Sequence, residues 1–314
     1  MKRITLILSL LAIGLFSYGQ VDTTVVPFVA YWSPGDSHDF RVTKIKQRIQ
    51  DGEMTKDDTT SYVANFNVMD STANSYTISW TFQPDLSEFD IPKELTGMLK
   101  SYKKSEVIYT TTELGEFVEI ENWEEVGSRF NEVISKLKDK LKDSDADSKK
   151  IEKAIAPLLK IYSSKQGIEQ VVYTELQFFH FLFGLEYNVD KPIYYKEQYP
   201  NMFGGKPLKA DAKLYVDEVD FENFYCKMVQ EADINPDDVK KMINLVFKKM
   251  GLNDKEVKKM LKTATMDISD RNVYEFTYFP GVPNYIETTR KIEFDLGGSE
   301  DRKLNRTIIE RIID

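Results

Sequence analysis

Glu175 is the residue whose placement invites chemistry. It sits in SSKQGIEQVVYTELQFFHFLFG, Ser163 to Gly184. At helical spacing Ile168, Val171, Val172, Leu176, Phe178, Phe179, Leu182 and Phe183 share one broad arc, and Glu175 falls near its middle. A carboxylate there either has its pKa raised to serve a ligand or pairs with a Lys, Arg or Tyr from a covering element. Thr174, Gln170 and Gln177 lie opposite, with Phe181 among them.

The other reactive side chains are few. Two histidines, His38 and His180, and one thiol, Cys226, exclude a metal site built from several His or Cys ligands. His180, among phenylalanines, reads as a hydrogen-bonded structural histidine, and His38 as an exposed strand residue. Glu116, Glu119, Glu121, Glu124 and Glu125 could supply paired carboxylates for glycoside hydrolysis, although Glu125 already suits a capping role. Asp143 to Asp147 imitates the first ligands of a calcium loop, but Ser148 and Ala154 stand where its glycine and bidentate glutamate belong. No phosphate loop or dinucleotide fingerprint is present, so no cofactor is expected and no catalytic set is assigned.

The elements that must position Glu175 follow from the patterning. Residues 1–20 combine Lys2 and Arg3, an apolar run from Ile4 to Phe16 and a small, polar exit, which predicts a secretory signal peptide. The run is too short for an ordinary transmembrane helix. Losing Lys2 and Arg3 with it moves the net charge from −9 to −11, which disfavours nucleic acid and anionic membranes as partners. The expected product is exported, periplasmic or extracellular, and soluble.

Residues 21–314 are expected to form a single α+β domain, divisible into halves 21–162 and 163–314 that share one core. Strands are predicted over Val25–Tyr31, His38–Ile49 (with a bulge between Phe40/Val42 and Ile45/Ile49), Tyr62–Met69 and Tyr76–Gln83. In the last of these Tyr76, Ile78, Trp80 and Phe82 face one way and Thr77, Ser79, Thr81 and Gln83 the other, the mark of a sheet with one buried face. A short helix follows Pro92, then a hairpin around Leu114-Gly115. Asn122 and Glu125 form a capping box for a helix with Trp123, Val126, Phe130 and Val133 on its apolar face. A helix carrying Ile151 to Leu159 is kinked at Pro157, and Ser163 caps the Glu175 helix. Strands over Glu186–Tyr199, Leu208–Asp217 and Phe221–Glu231 precede a helix begun by Asn235-Pro236 and a shorter one capped by Asn253. Strands over Met266–Phe279, Tyr285–Leu296 and Arg302–Ile313 close the chain. The order implies α+β with a large, curved, mostly antiparallel sheet and helices on its concave face.

YWSPGDSHDFRVTKIKQR, Tyr31 to Arg48, with TSYVANFNVMDSTANSYTISWTF, Thr60 to Phe82, resembles secreted bacterial families of unknown function. These open with an aromatic-x-x-Gly-Asp turn into long antiparallel strands. The arrangement is also similar to the lipoprotein-localisation-factor fold, an open half-barrel with a helical lid whose members carry acyl chains. The chain departs from that fold in lacking an N-terminal helix, and no functional residue carries over. The resulting expectation is a non-enzymatic envelope protein binding an apolar or amphipathic ligand, such as a lipid, between sheet and helices. Tyr76, Ile78, Trp80, Phe82, Glu175, Phe178, Phe179 and Leu182 are its expected ligand-binding residues. The alternatives are an interaction protein that meets an envelope partner, and a carbohydrate-active protein stacking sugars on Trp32, Trp80 and Trp123.

Overall fold

A computed structural model describes residues 23–82, 105–140, 163–199, 206–249, 264–296 and 298–313. The expected signal peptide, the helix after Pro92, the Asp143–Asp147 break, the Ile151–Leu159 helix and the helix after Asn253 lie outside those residues.

Among the described residues eleven strands, each antiparallel to its neighbours, make one sheet in the order β6-β5-β4-β3-β2-β13-β12-β11-β10-β9-β8. They are β2 (Ser37–Gln50), β3 (Glu53–Ser71), β4 (Ser75–Phe82), β5 (Ser105–Thr112), β6 (Phe117–Ile120), β8 (Ile193–Tyr199), β9 (Leu208–Asp220), β10 (Tyr225–Ile234), β11 (Ala264–Thr277), β12 (Val282–Leu296) and β13 (Ser299–Arg311). β1 (Val25–Phe28) and β7 (Leu185–Asn188) pair separately. The described helices are α1 (Trp123–Lys140), α2 (Lys165–His180) and α3 (Pro236–Lys249). The architecture is α+β and mainly β.

Hairpins between neighbours build most of the sheet, and β13 closes the order by lying against β2 from Phe40 to Gln50. The β2–β3 hairpin turns on Asp51 and Gly52, both at positive φ, the two-residue turn whose twist matches the flanking strands. The bulge expected inside β2 is absent. Pairing with β3 runs unbroken from Ser37 to Arg48, and the extra residue, Thr55, belongs to β3 just beyond. Phe40 and Val42 therefore face one side of the sheet and Ile45 the other. The parity change in the sequence records two half-apolar faces, not a break.

Two apolar clusters share one face. The larger joins β1–β5 and β10–β13 to α2, and the smaller joins Ala210, Ala212, Ala232, Ile234 and Ile268 to Val239, Met242 and Ile243 of α3. Local signals set both helices. Ser164, one residue later than expected, caps α2 by accepting from the Gly167 N–H at 3.1 Å. The Asn235 side chain accepts from the Asp237 and Asp238 N–H groups at 2.9 and 3.2 Å and starts α3. At α1 the expected capping box does not form. Asn122 instead accepts from the Ile108 N–H at 2.8 Å and donates to the Glu106 carbonyl at 3.1 Å, while Glu125 pairs with Arg129. An amide that can serve both groups of an open strand is better used there than on one helical N–H.

Candidate ligand-binding face

α2 crosses the sheet and carries Glu175, Phe178 and Phe179 of the expected site, with Leu182 just past its end and Tyr76, Ile78, Trp80 and Phe82 on β4. Phe179 meets Phe40 at 5.3 Å, Phe66 at 5.1 Å and Trp80 at 5.7 Å between ring centroids. Ile78, Trp80, Phe179 and Leu182 are at most 1 % exposed. Tyr76 and Phe82 are half-buried, Tyr76 edge-on to Trp32 and Phe82 beside Tyr62, and Phe178 packs against the same cluster. The apolar members are thus brought together as interlocked rings between helix and sheet. The side chains of Val171 and Val172 are not among those described. Phe181, expected on the polar side, lies past the last helical residue and stacks on Tyr274 at 5.3 Å.

His180 is locked in one neutral form. Its Nδ1 lies 2.8 Å from the Gly115 carbonyl and must donate there, so Nε2 accepts from the Tyr109 hydroxyl at 2.8 Å. Burial lowers its pKa to about 4. This is a structural histidine. His38 is half-buried beside Phe66, and burial lowers its pKa too. Trp32 and Trp80 are 5 % and 1 % exposed, which removes both as platforms for a sugar. Among the acids of 116–125, Glu119 pairs with Lys165 and Glu125 with Arg129. No group of His, Cys, Asp or Glu among the described residues is arranged to hold a metal ion.

Glu175 marks where this face changes character. Its Oε1 accepts from Lys44 Nζ at 2.7 Å and from the Tyr62 hydroxyl at 3.0 Å, and the carboxylate side chain is 7 % exposed. Residues opposed in an antiparallel ladder share a face, so register defines rows across the sheet. One row is apolar: Val42, Ile309, Ile286, Tyr274 and Met228. The next reads Lys44, Thr307, Thr288, Asn272 and Gln230, and the next Lys46, Asn305, Arg290, Asp270 and Ala232. A polar belt therefore separates the α2 cluster from the α3 cluster. Thr288, Asn272, Gln230 and Asp270 are buried within it.

Burying such groups is unfavourable unless they bond to one another, and most do. Gln230 Nε2 donates to the Tyr195 hydroxyl at 2.6 Å and reaches Glu197 at 3.4 Å. Asn272 Nδ2 donates to Gln230 Oε1 at 2.6 Å, and the Tyr199 hydroxyl donates to Glu197 at 3.1 Å. Arg290 holds Asp270 with two bonds, at 2.7 and 2.6 Å, and places its guanidinium 4.8 Å from the Tyr199 ring centre. Tyr199 and Arg290 lie four strands apart, about 19 Å in a flat sheet. Their contact requires this half of the sheet to curl toward the belt.

Burial raises the Glu197 pKa, and Arg290 is raised chiefly by its bonds to Asp270. One group is left over. The Tyr274 ring is fully buried under Phe181, and its hydroxyl lies beside Asn272 without a hydrogen bond of ordinary geometry. Burial, then the nearby Tyr195 and Glu197, push its pKa well above the usual tyrosine value.

Sequence reasoning reached Glu175 and missed the rest of the belt. The available signal was polar residues on the buried parity of long strands: Gln230 follows Cys226 and Met228 at alternate positions, and Asn272 precedes Tyr274 and Phe276.

No family model and no curated protein matches the chain. Among solved structures, one of lipovitellin and its lipid–protein interactions aligns with 90 % of this chain and 25 % of its own, at 8 % identity and a TM-score of 0.37. The chain thus spans about a quarter of that relative's length. The attachment invasion locus protein Ail of Yersinia pestis aligns with 89 % of this chain and 100 % of its own, at 6 % identity and a TM-score of 0.15. Scores of this size fall short of a shared fold. Among the described residues no helix is long and apolar enough to cross a membrane.

Proposed function

We propose that the protein is an exported, non-enzymatic binding protein that holds an amphipathic ligand on the helix-bearing face of its sheet. The polar end lies in the belt around Gln230, Asn272, Tyr195 and Glu197, and the apolar part lies against the flanking clusters. Export rests on the N-terminal sequence. The observation that carries the binding reading is a buried polar belt, with one hydroxyl unmatched, set between two apolar clusters on one face. Structural cores satisfy most such groups, so an unmatched one calls for an explanation. The α2 residues of the expected site back this surface, and Glu175 with Lys44 forms its rim.

The test is native mass spectrometry of protein purified from its own envelope, followed by solvent extraction. A bound amphipathic mass in the wild type that falls in Gln230→Leu supports the reading; a bare chain in both sinks it. A second reading, contact with another envelope protein, draws on Tyr31, Phe279 and Phe224. These aromatics are 49 %, 50 % and 45 % exposed, and Phe279 meets Tyr31 and Phe224 in tilted contacts at 5.0 and 5.5 Å.

A further inference from the structure

The hydrogen-bond inventory of the belt defines the kind of polar end it can take, and this step rests on the binding reading above. Two hydroxyl donors there have no acceptor among the described residues. Tyr274 is the first. The second is Tyr195, whose oxygen accepts from Gln230 at 2.6 Å and whose own proton goes to no described residue. Gln230 Oε1 takes the Asn272 amide at 2.6 Å. Tyr187, the other phenol near Tyr274, spends its proton on the Leu182 carbonyl at 3.0 Å. What enters must therefore accept hydrogen bonds, which excludes an ammonium group.

Charge narrows the class further. Of the belt's cations, Lys44 is matched with Glu175 at 2.7 Å and Arg290 with Asp270 at 2.6 Å, and Lys46 is engaged as well. Glu197 has only the Tyr199 hydroxyl and the Gln230 amide as direct partners, both uncharged. A carboxylate or phosphate next to Tyr195 and Tyr274 would meet that carboxylate with no spare cation to offset it, in a setting where burial strengthens repulsion. We propose that the ligand's polar end is an uncharged oxygen acceptor, an ester or amide carbonyl or a hydroxyl, seated against the Tyr274 hydroxyl beside Tyr195. A neutral lipid fits this description; a free fatty acid or an anionic phospholipid does not.

The test uses the mature chain freed of bound lipid, with three probes that share one oleoyl chain: monoolein, oleate and oleoyl-lysophosphatidylglycerol. Calorimetric titration at pH 7.5 is expected to show monoolein bound at least about tenfold more tightly than either anion. Tyr274→Phe should weaken monoolein about tenfold, which is about 1.4 kcal/mol. The same variant should leave the ligand-free melting temperature unchanged or raise it, because no bond of the free protein is lost. Oleate or the lysophospholipid binding as tightly as monoolein, with the same sensitivity to Tyr274→Phe, would overturn the head-group assignment and leave the binding reading standing. No binding of any probe would overturn both. A lower melting temperature for Tyr274→Phe, with monoolein affinity unchanged, would mean that an internal water already satisfies the hydroxyl, and would overturn the assignment.

Discussion

Replacing Glu175 with Gln removes one charge from a pair held at 2.7 Å, whose side chains are 17 % and 7 % exposed for Lys44 and Glu175. Shape and most hydrogen bonding survive, since an amide oxygen can still accept from Lys44 and Tyr62. The loss is thus mainly electrostatic. Two unit charges about 4 Å apart attract by about 4 kcal/mol at an effective dielectric of 20, and the residual exposure of Lys44 lets water recover part of that. Glu175→Gln should therefore cost about 2–3 kcal/mol at pH 7.5, read as a fall in the urea midpoint at constant slope. Lys44→Met should cost a similar amount, because it strands the carboxylate. The double variant Lys44→Met/Glu175→Gln, which removes both charges, should recover most of the loss. A coupling of at least about 1.5 kcal/mol in that cycle is the expected result. Additive losses, or a Glu175→Gln protein within about 0.5 kcal/mol of the wild type, would refute the reading of Lys44 and Glu175 as a coupled, largely buried ion pair.

Other perturbations separate the packed side of the face from the belt. Trp80→Ala should cost about 3–5 kcal/mol in denaturant unfolding, since the indole is 1 % exposed and packs on Phe40 and Phe179. The folded pKa of His180 lies below that of the unfolded chain, so its contribution to stability is complete above about pH 6.5 and is lost as the pH falls toward about 4. That contribution is about 3 kcal/mol, and a His180→Asn protein should show a correspondingly smaller drop in urea midpoint between pH 7.5 and 4.5. Gly281→Ala should destabilise by at least about 2 kcal/mol, because φ is +91° and a Cβ would sit 2.8 Å from the Val29 carbonyl oxygen. Burial pushes the Cys226 thiol up to about 12, so it should stay unreactive toward a thiol reagent at pH 8 until the chain is unfolded.

The strands were the most legible part of the sequence because alternation is a local property. Tyr76 to Phe82 announces its inward face by alternation, although Ser79 on the opposite face is buried too, and the hairpin at Asp51-Gly52 carries its own turn chemistry. The arc of α2 was legible for the same reason, including the need for a partner to Glu175. Which partner was not, because Lys44 and Tyr62 reach it only through the register of β2 and β3. Strand order was hidden too: nothing local in Ser299–Arg311 says that it pairs with β2, more than 250 residues earlier in the chain. The belt depends on both kinds of hidden information. Gln230, Asn272 and Thr288 become one row only after two registers are set, and Tyr199 meets Arg290 only because the sheet curls. The capping box at Asn122 failed for a related reason, since the open backbone of β5 competed for the same amide.

The most direct test of the central claim is a crystal structure of the protein purified from its own envelope, at a resolution that separates water from lipid. The account predicts elongated density on the helix-bearing face, with one uncharged oxygen within about 3.2 Å of the Tyr274 hydroxyl and the apolar remainder leading toward one of the flanking clusters. A lone water bridging Tyr274 and Tyr195, with the rest of the face closed over by side chains, would contradict it.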